Sequence, residues 1–165
     1  MTDAEFDTTT DEDAADIAVD AYDDVLLPTD GSEATLAAVE EAGRVAALSG
    51  ATVHVLSVAD TRNRFESPTA GLAPDAWDRA EHERAEAAID HAVDALPDGI
   101  RTERVVREGI PKTEVLAHVD EADVDLVVMG THGRTGLDHY LIGSVTERVV
   151  RNSPVPVLTV RAAED

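Results

Sequence analysis

The sequence predicts an α/β protein with an open, doubly wound, five-stranded parallel sheet that helices cover on both faces. Two observations lead to this prediction. From Asp24 onward, short runs rich in β-branched residues alternate with segments of helical periodicity, an order typical of parallel sheets with right-handed crossovers. The first, second and fourth of these runs are almost continuously apolar, as expected for strands buried on both faces.

The predicted strands are bounded by residues that favour turns. In chain order they span Val25–Thr29, Thr52–Val58, Thr102–Arg107, Leu126–Gly130 and Val155–Val160.

Local signals predict four helices between the strands. The first follows Asp30-Gly31-Ser32-Glu33 and stops at Gly50, and the second covers about 77–96. The third opens at Pro111, a residue favoured in the first helical turn, and the fourth begins near Gly143-Ser144. The apolar residues expected on their buried faces are Leu36, Val39, Ala42 and Ala46, then Ala85, Ile89, Ala92, Val93 and Leu96, then Val115, Leu116 and Val119, and finally Val145, Val149 and Val150.

An acidic segment precedes these elements. Residues 1–21 hold eight Asp and Glu residues, no Lys or Arg, and few large apolar side chains. Such a segment cannot bury enough apolar surface to fold, so we predict a disordered tail followed by one domain over residues 22–165. Within the domain, residues 61–75 form the one long loop that we predict.

Charge is the strongest signal in the composition. The chain has 35 Asp and Glu residues against 13 Lys and Arg, a formal net charge of -22 and a sequence pI near 4.3. An acidic surface of this kind predicts no binding to nucleic acid or to anionic membranes. Lys112 is the only lysine, and acidic excess with so little lysine resembles the proteomes of salt-accumulating halophiles. The alternative is an ordinary acidic protein with a charged tail.

The absence of certain residue types narrows the possible functions. The chain contains no cysteine, which excludes disulfides, thiolate metal ligands and a cysteine nucleophile. No apolar run has the length of a signal peptide or membrane span, so we expect a cytoplasmic protein. We also find no nucleophile-elbow serine, no paired catalytic carboxylates and no histidine-led triad, so no catalytic residue is predicted.

Two strand ends carry the residues of a candidate anion-binding site. The first strand runs into Pro28-Thr29-Asp30-Gly31, and the fourth runs through Met129-Gly130 into a glycine-rich stretch. Gly130, Gly133 and the pair Gly143-Ser144 have the spacing Gly-x2-Gly-x9-Gly-Ser, with the last pair at a helix start. Glycine lets the backbone approach phosphate, and a helix N-terminus offers unpaired N–H groups. The main-chain amides predicted to bind phosphate oxygens are those of Gly133, Gly143, Ser144, Val145 and Thr146.

Other nucleotide motifs are absent. The P-loop pattern that ends in Gly-Lys-Ser/Thr does not occur, so no P-loop lysine is available. The pattern Gly-x-Gly-x-x-Gly does not follow the first strand, which argues against a dinucleotide-binding fold.

The glycine motif and its surroundings resemble the universal stress protein family in its ATP-binding branch. The similarity covers roughly Asp24 to Arg161 and matches that branch's motif without a departure. The stretches that carry it are Val25-Leu26-Leu27-Pro28-Thr29-Asp30-Gly31-Ser32, Val127-Val128-Met129-Gly130-Thr131-His132-Gly133-Arg134-Thr135-Gly136, Gly143-Ser144-Val145-Thr146-Glu147 and Asn152-Ser153-Pro154-Val155-Pro156-Val157-Leu158-Thr159-Val160.

The resemblance implies a fold, a ligand and a partner. It implies a sheet order of 3-2-1-4-5, Rossmann-like and similar to the adenine nucleotide alpha hydrolases, and a homodimer through the last strand at residues 155–160. It implies that Asp30 accepts hydrogen bonds from ribose, that the backbone of Val58 meets adenine, and that the glycine motif contacts ribose and phosphate of ATP, with Mg²⁺ or Mn²⁺ as a possible companion. The complete predicted nucleotide set is Pro28, Thr29, Asp30, Val58, Met129, Gly130, Gly133, Arg134, Gly143, Ser144, Val145 and Thr146.

Several of these residues have a structural role as an alternative. Asp30 either contacts ribose or caps the first helix, and Ser144 either serves a ligand or forms a capping box with Glu147. Arg134 either neutralises phosphate or pairs with surface acids. The segment His82-Glu83-Arg84-Ala85-Glu86 lacks the second histidine of a zinc-protease helix and is interpreted as a solvated helical face. His132 and His139 have no second ligand type at metal spacing, so no metal site is predicted.

Three functional hypotheses follow from the sequence. The first is a regulatory module whose ATP occupancy stabilises a dimer or an ordered loop in the stress response. The second is a slow ATPase, for which no base is evident. The third is a nucleotide-independent interaction protein.

Overall fold

The computed structural model describes residues 21–62, 74–132 and 142–162. Five strands and four α-helices alternate, with a short 3-10 turn at Glu33–Thr35 before the first helix. The strands are β1 Asp24–Pro28, β2 Thr52–Asp60, β3 Arg101–Gly109, β4 Leu126–Gly130 and β5 Val157–Val160. The helices are α1 Leu36–Ser49, α2 Pro74–Ala95, α3 Pro111–Glu121 and α4 Ser144–Asn152.

All strand pairs are parallel and the sheet order is β3-β2-β1-β4-β5, which confirms the predicted fold. The chain leaves β1 toward β2 on one side, and β4 lies on the other side of β1. Strand order therefore reverses between β1 and β4, where open α/β sheets form a crevice at the carboxyl ends of the strands.

Alternate residues of the central strands enter two separate cores, because successive side chains of a strand point to opposite faces. One core joins Val25 and Leu27 of β1 to α1 and α2, with Val39 and Ile89 fully buried. The other joins Leu26 of β1 to α3 and α4. The members of this second core include Leu56, Val58, Val115, Val119, Val127, Met129 and Val149. Helices thus cover both faces, as the apolar runs predict.

Most residues of the predicted helix faces pack in the two cores, but Leu36 of α1 is only half-buried and belongs to neither core. Val150 of α4 is 47% exposed, whereas Val149 is completely buried. The nine-residue helix presents a narrow stripe to the sheet, and Thr146 rather than Val150 shares that stripe with Val149.

Strand ends differ from the predictions where pairing or a turn decides them. β2 extends to Asp60 because β3 pairs with it as far as Asp60 and Gly109. β5 begins at Val157 instead of Val155, because the Val155 N–H donates to the Ser153 hydroxyl (3.2 Å) and that hydroxyl donates back to the Val155 carbonyl oxygen (2.9 Å). This local turn removes Val155 from the ladder.

Several predictions fall outside the described residues, namely the acidic tail through residue 20, most of the loop at 61–75, Gly133, Arg134 and His139. Within the described part of the chain, no helix combines the length and apolar character needed to cross a membrane.

Candidate functional site

A cleft of about 290 Å³ opens at the carboxyl ends of the strands, where the order reverses. This volume is near the lower end of the range for small-molecule pockets, about 300–1,000 Å³. Every predicted nucleotide residue that the structure describes lines it, namely Pro28, Thr29, Asp30, Val58, Met129, Gly130, Gly143, Ser144, Val145 and Thr146. Residues far apart in sequence therefore meet at one place.

The turn after β1 forms one wall of the cleft through hydroxyl groups. The Thr35 hydroxyl donates to the Ser32 carbonyl oxygen (2.7 Å), so in its 3.3 Å contact with the Thr29 hydroxyl it is the acceptor. The Thr29 oxygen in turn accepts the Gly31 N–H (3.2 Å). These bonds fix the direction in which the chain leaves the sheet.

Asp30 belongs to the same turn, and part of its bonding capacity is structural. Its Oδ1 accepts the Ser32 N–H at 3.0 Å, an Asx-type turn ahead of the first helix. Asp30 is not a helix N-cap, because Ser32 caps the 3-10 turn and Thr35 precedes α1, but its carboxylate orders the chain ahead of the helix. A carboxylate has about four acceptor sites, so this role is compatible with a ligand contact.

Gly130 sits where β4 approaches the start of the first helix. A Cβ placed on Gly130 would lie 3.0 Å from the Ala34 carbonyl oxygen, closer than ordinary packing allows. Its own carbonyl oxygen accepts the buried Thr146 hydroxyl at 2.8 Å. The proton of Thr146 therefore ties α4 to the end of β4, and only the Thr146 backbone or its oxygen lone pairs are left for a ligand.

The start of α4 forms the opposite wall. Gly143 is the N-cap and Ser144 the first helical residue, so the capping box of Ser144 with Glu147 is not formed. The Gly143 N–H donates to the Thr131 carbonyl oxygen at 2.8 Å, which corrects the prediction that this amide binds phosphate. The amides of Ser144, Val145 and Thr146 have no intrahelical acceptor by position, and these residues line the cleft at the positive end of the helix dipole.

Val58 provides main-chain groups beyond the end of β1. The last β1–β2 pair is Pro28 with Leu56, and the Thr29 N–H donates to the Leu56 carbonyl oxygen (2.8 Å). In a parallel ladder alternate residues face the same neighbour, so the N–H and C=O of Val58 point toward β1 where β1 no longer continues. The result is one donor and one acceptor, side by side, at the cleft.

Arginines and carboxylates share the β2 end of the cleft. Arg62 donates from Nε and Nη2 to the two carboxylate oxygens of Asp60 (3.0 and 2.6 Å), and Arg84 donates to Glu81 (3.1 and 2.9 Å). Burial opposes ionisation of Asp60, but the hydrogen bonds and charge of Arg62, together with the charge of Arg84, lower the pKa of that carboxyl. The same hydrogen bonds raise the pKa of Arg62. The charges at this end are thus paired within the protein.

Two polar atoms in the cleft lack a partner among the described residues. The Ser57 side chain is only 1% exposed and its hydroxyl is buried. Nε2 of His132 is also buried. Nδ1 of His132 lies 2.9 Å from the Thr131 hydroxyl, which sets the ring's orientation. An unsatisfied buried polar group costs about 1–3 kcal/mol, so its presence in a cleft points to a ligand or to ordered water.

Sequence reasoning missed Ser57, Arg84, Asp60 and Arg62, all of which line the cleft. The segment around Arg84 is not a purely solvated face, because the Arg84 side chain is 24% exposed and reaches the Val58 carbonyl oxygen. Helical periodicity does give Arg84 a position one residue before buried Ala85, at the edge of the apolar face. No local pattern marks it as a site residue.

Comparison with known proteins decides the family. The family model of the universal stress proteins matches residues 21–161. The chain belongs to the universal stress protein family. A relative in Methanocaldococcus jannaschii, the universal stress protein MJ0531, is 34% identical over 145 residues, which are 85% of this chain and 82% of the relative.

Solved structures of the family agree with this fold. The structure of the M. jannaschii protein MJ0577 has a TM-score of 0.76 and 29% identity, and the match covers 88% of this chain and 99% of that one. A universal stress protein in complex with cAMP has a TM-score of 0.60 and 30% identity, with 87% of this chain and 99% of that chain covered.

Proposed function

We propose that this family member is a cytoplasmic regulatory module of the stress response that binds ATP in the cleft between β1 and β4. The observation that carries the proposal is the convergence of the α4 N-terminus, the Asp30 turn and the Val58 edge on one cavity. The complex of a relative with cAMP supports an adenine nucleotide as the ligand class.

The phosphates would lie against the start of α4. Main-chain N–H groups of Ser144, Val145 and Thr146 supply hydrogen bonds and a partial positive charge without a lysine. The described residues include no group of three or more His, Asp or Glu side chains placed to hold a metal. Any Mg²⁺ or Mn²⁺ would therefore be held largely by the phosphate oxygens.

The base and ribose would lie toward β2 and β1. Val58 offers an N–H beside a C=O, the pair that complements N1 and the 6-amino group of adenine. Asp30, at the end of β1, would accept hydrogen bonds from ribose hydroxyls, since a carboxylate offers about four acceptor sites. The buried Ser57 hydroxyl gains its missing partner when the cleft is filled.

Binding is favoured over hydrolysis by the state of the carboxylates in the cleft. Asp30 accepts the Ser32 N–H, and Asp60 is paired with Arg62 through two side-chain hydrogen bonds. A paired carboxylate with a lowered pKa is a weak base. Phosphate release faster than the buffer blank would favour the slow-ATPase alternative.

The proposal is tested by introducing a negative charge at Ser144 with a substitution that preserves helix α4. Ser144→Asp places a carboxylate in the first turn, where it stabilises α4 by about 0.3–1 kcal/mol but repels phosphate. Two unit charges 4 Å apart near a protein surface interact by about 4 kcal/mol, so ATP affinity should fall at least about tenfold. Ser144→Ala, the matched control, keeps the backbone amides and should bind ATP within about threefold of wild type, since it removes only a hydroxyl.

Titration calorimetry with ATP measures all three proteins. No heat with wild type, and no adenine nucleotide in an acid extract of the purified protein, would refute the proposal and favour the nucleotide-independent alternative. An unchanged affinity in Ser144→Asp would show that phosphate does not bind at α4.

We also propose a homodimer through β5, which forms one edge of the sheet. Leu158 is 37% exposed on this strand, and an open edge invites pairing with a second copy. Sedimentation equilibrium should give twice the 17.5 kDa mass of the chain, and a mass of one chain would contradict the dimer.

A further inference from the structure

The acceptor at the proposed base end is already in use. Nη2 of Arg84 donates to the Val58 carbonyl oxygen at 3.0 Å and to Oε2 of Glu81 at 2.9 Å. Nε of Arg84 donates to the same Glu81 oxygen at 3.1 Å. Since Glu81 is one helical turn away on α2, it holds the guanidinium in place over Val58.

This contact changes what the Val58 edge offers to a base. A carbonyl oxygen has two lone pairs, and the guanidinium takes one of them. A 6-amino group must then donate to an oxygen that already accepts a hydrogen bond from the Arg84 guanidinium. A base with a 6-oxo group meets N–H donors of Arg84 at that position instead.

We propose that Arg84 is a specificity-determining residue that weakens the preference of this cleft for adenine over 6-oxopurines. The inference rests on the proposed function, because it assigns the base end of the same site. The neighbouring Ser57 hydroxyl suits this tolerance, since a hydroxyl can donate to a 6-oxo group or accept from a 6-amino group.

ATP and inosine triphosphate provide the two bases for the test. Adenine has a 6-amino group and an unprotonated N1, whereas the base of inosine has a 6-oxo group and a proton on N1. N1 of inosine carries a proton and cannot accept the Val58 N–H, so wild-type protein should still favour ATP, by about tenfold, the value of that one hydrogen bond. Arg84→Met keeps much of the side-chain volume and removes every donor, which returns the full Val58 carbonyl to the base. The ratio of ATP affinity to inosine triphosphate affinity should then rise by about 3- to 10-fold.

The matched control is Arg79→Met, which removes the same charge from an exposed position of the same helix. It should weaken both triphosphates alike through the loss of one positive charge, and leave their ratio unchanged. Arg84→Gln, too short to reach Val58, is a second variant in case Arg84→Met loses the fold. Circular dichroism melts of each variant establish that it is folded.

The outcomes separate the two proposals. A raised ratio in both Arg84 variants, with Arg79→Met like wild type, supports the inference. Binding of both triphosphates with the same ratio in wild type and in the Arg84 variants overturns the inference and leaves the proposed function standing. No binding of either triphosphate to wild type overturns both.

Discussion

Ser57 carries a buried hydroxyl that has no partner among the described residues and that the proposed ligand would satisfy. Ser57 shares a face of β2 with Val53 and Val55, so its side chain lies on the side of the sheet that α1 and α2 cover. A hydroxyl without a partner makes the empty protein less stable than an apolar side chain of the same size would. The residue is thus a sensitive probe of whether the cleft is a binding site.

Ser57→Ala should leave the melting temperature of the ligand-free protein unchanged or raised, because no hydrogen bond is lost. ATP affinity should fall by about 3- to 10-fold, the value of one hydrogen bond of about 0.5–1.5 kcal/mol. Thermal melts and calorimetry measure the two effects.

Ser153→Ala gives the opposite pattern and serves as the control. Its hydroxyl bonds both main-chain groups of Val155, so its loss should lower stability without changing ATP affinity. A Ser57→Ala protein that is clearly destabilised and binds ATP normally would show that the hydroxyl has a structural partner.

At the residue scale, the sequence was informative where a backbone constraint decides the residue. The helix start at 144 follows from local chemistry and lies where the motif predicts. Gly130 also lies where the motif predicts, although the contact that excludes a side chain there is a long-range one with Ala34. Arg84 and Ser57 could not be found this way, because their roles depend on register and on α2 packing over β2. The engagement of the Gly143 N–H by Thr131 likewise depends on how two loops meet.

At the scale of elements, a buried histidine pair joins β2 to α3 at the end of the sheet opposite the cleft. Nε2 of His54 lies 2.9 Å from Oδ1 of Asp24, and Nδ1 of His54 lies 3.1 Å from Nε2 of His118. The carboxylate can only accept, so His54 donates to Asp24 and, with both rings neutral, accepts from His118. The bond between the two rings is therefore compatible with a neutral or a charged His118, and the surroundings of His118 decide which form is favoured.

The surroundings of His118 disfavour its charged form. Burial is the largest cause, followed by His54 and Arg107, and together these lower the pKa of His118 against the opposing pull of Glu103 and Glu121. A histidine with a lowered folded-state pKa stabilises the fold above its unfolded value of 6.5 and loses that contribution as pH falls through the folded pKa.

We therefore predict a loss of stability as the pH falls below 6.5, ahead of the range in which carboxylates titrate. His118→Gln keeps a donor toward His54 but cannot be protonated, so it should flatten the dependence in this window. His91→Gln, at an exposed position of α2, should behave like wild type. Urea unfolding between pH 7.5 and 5 measures the effect, and equal pH dependence in all three proteins would contradict it.

The elements themselves were largely predictable, because periodicity and capping are local. Gly50 ends α1 and Pro111 opens α3, as their chemistry predicts. The histidine pair was not predictable, since His54 and His118 stand 64 positions apart and meet only when α3 packs on the sheet. Long-range pairing also set the extra length of β2 and β3.

At the scale of the whole molecule, the net charge of -22 makes self-repulsion a major term in stability. Ion pairs offset part of it, such as those of Arg107 on β3 with Glu114 and Glu121 on α3. The family is established, and we propose in addition that the chain is adapted to high salt.

Adaptation of this kind predicts a melting temperature that rises from low salt into molar KCl, as the Debye length falls from about 10 Å at 0.1 M to about 3 Å at 1 M. A gain on the order of 5 °C corresponds to about 2 kcal/mol for a domain of this size. NaCl at the same ionic strength should give a similar rise, since screening does not depend on the cation. A melting temperature indifferent to salt would contradict the adaptation.

The central claim is that main-chain groups at the carboxyl ends of β1 and β4 hold a nucleotide. The most direct measurement is diffraction from crystals grown with a non-hydrolysable ATP analogue. We predict phosphate oxygens within hydrogen-bond distance of the Ser144, Val145 and Thr146 amides, and ribose against Asp30. A nucleotide bound elsewhere, or those amides occupied by the protein's own chain in the presence of saturating nucleotide, would contradict the claim.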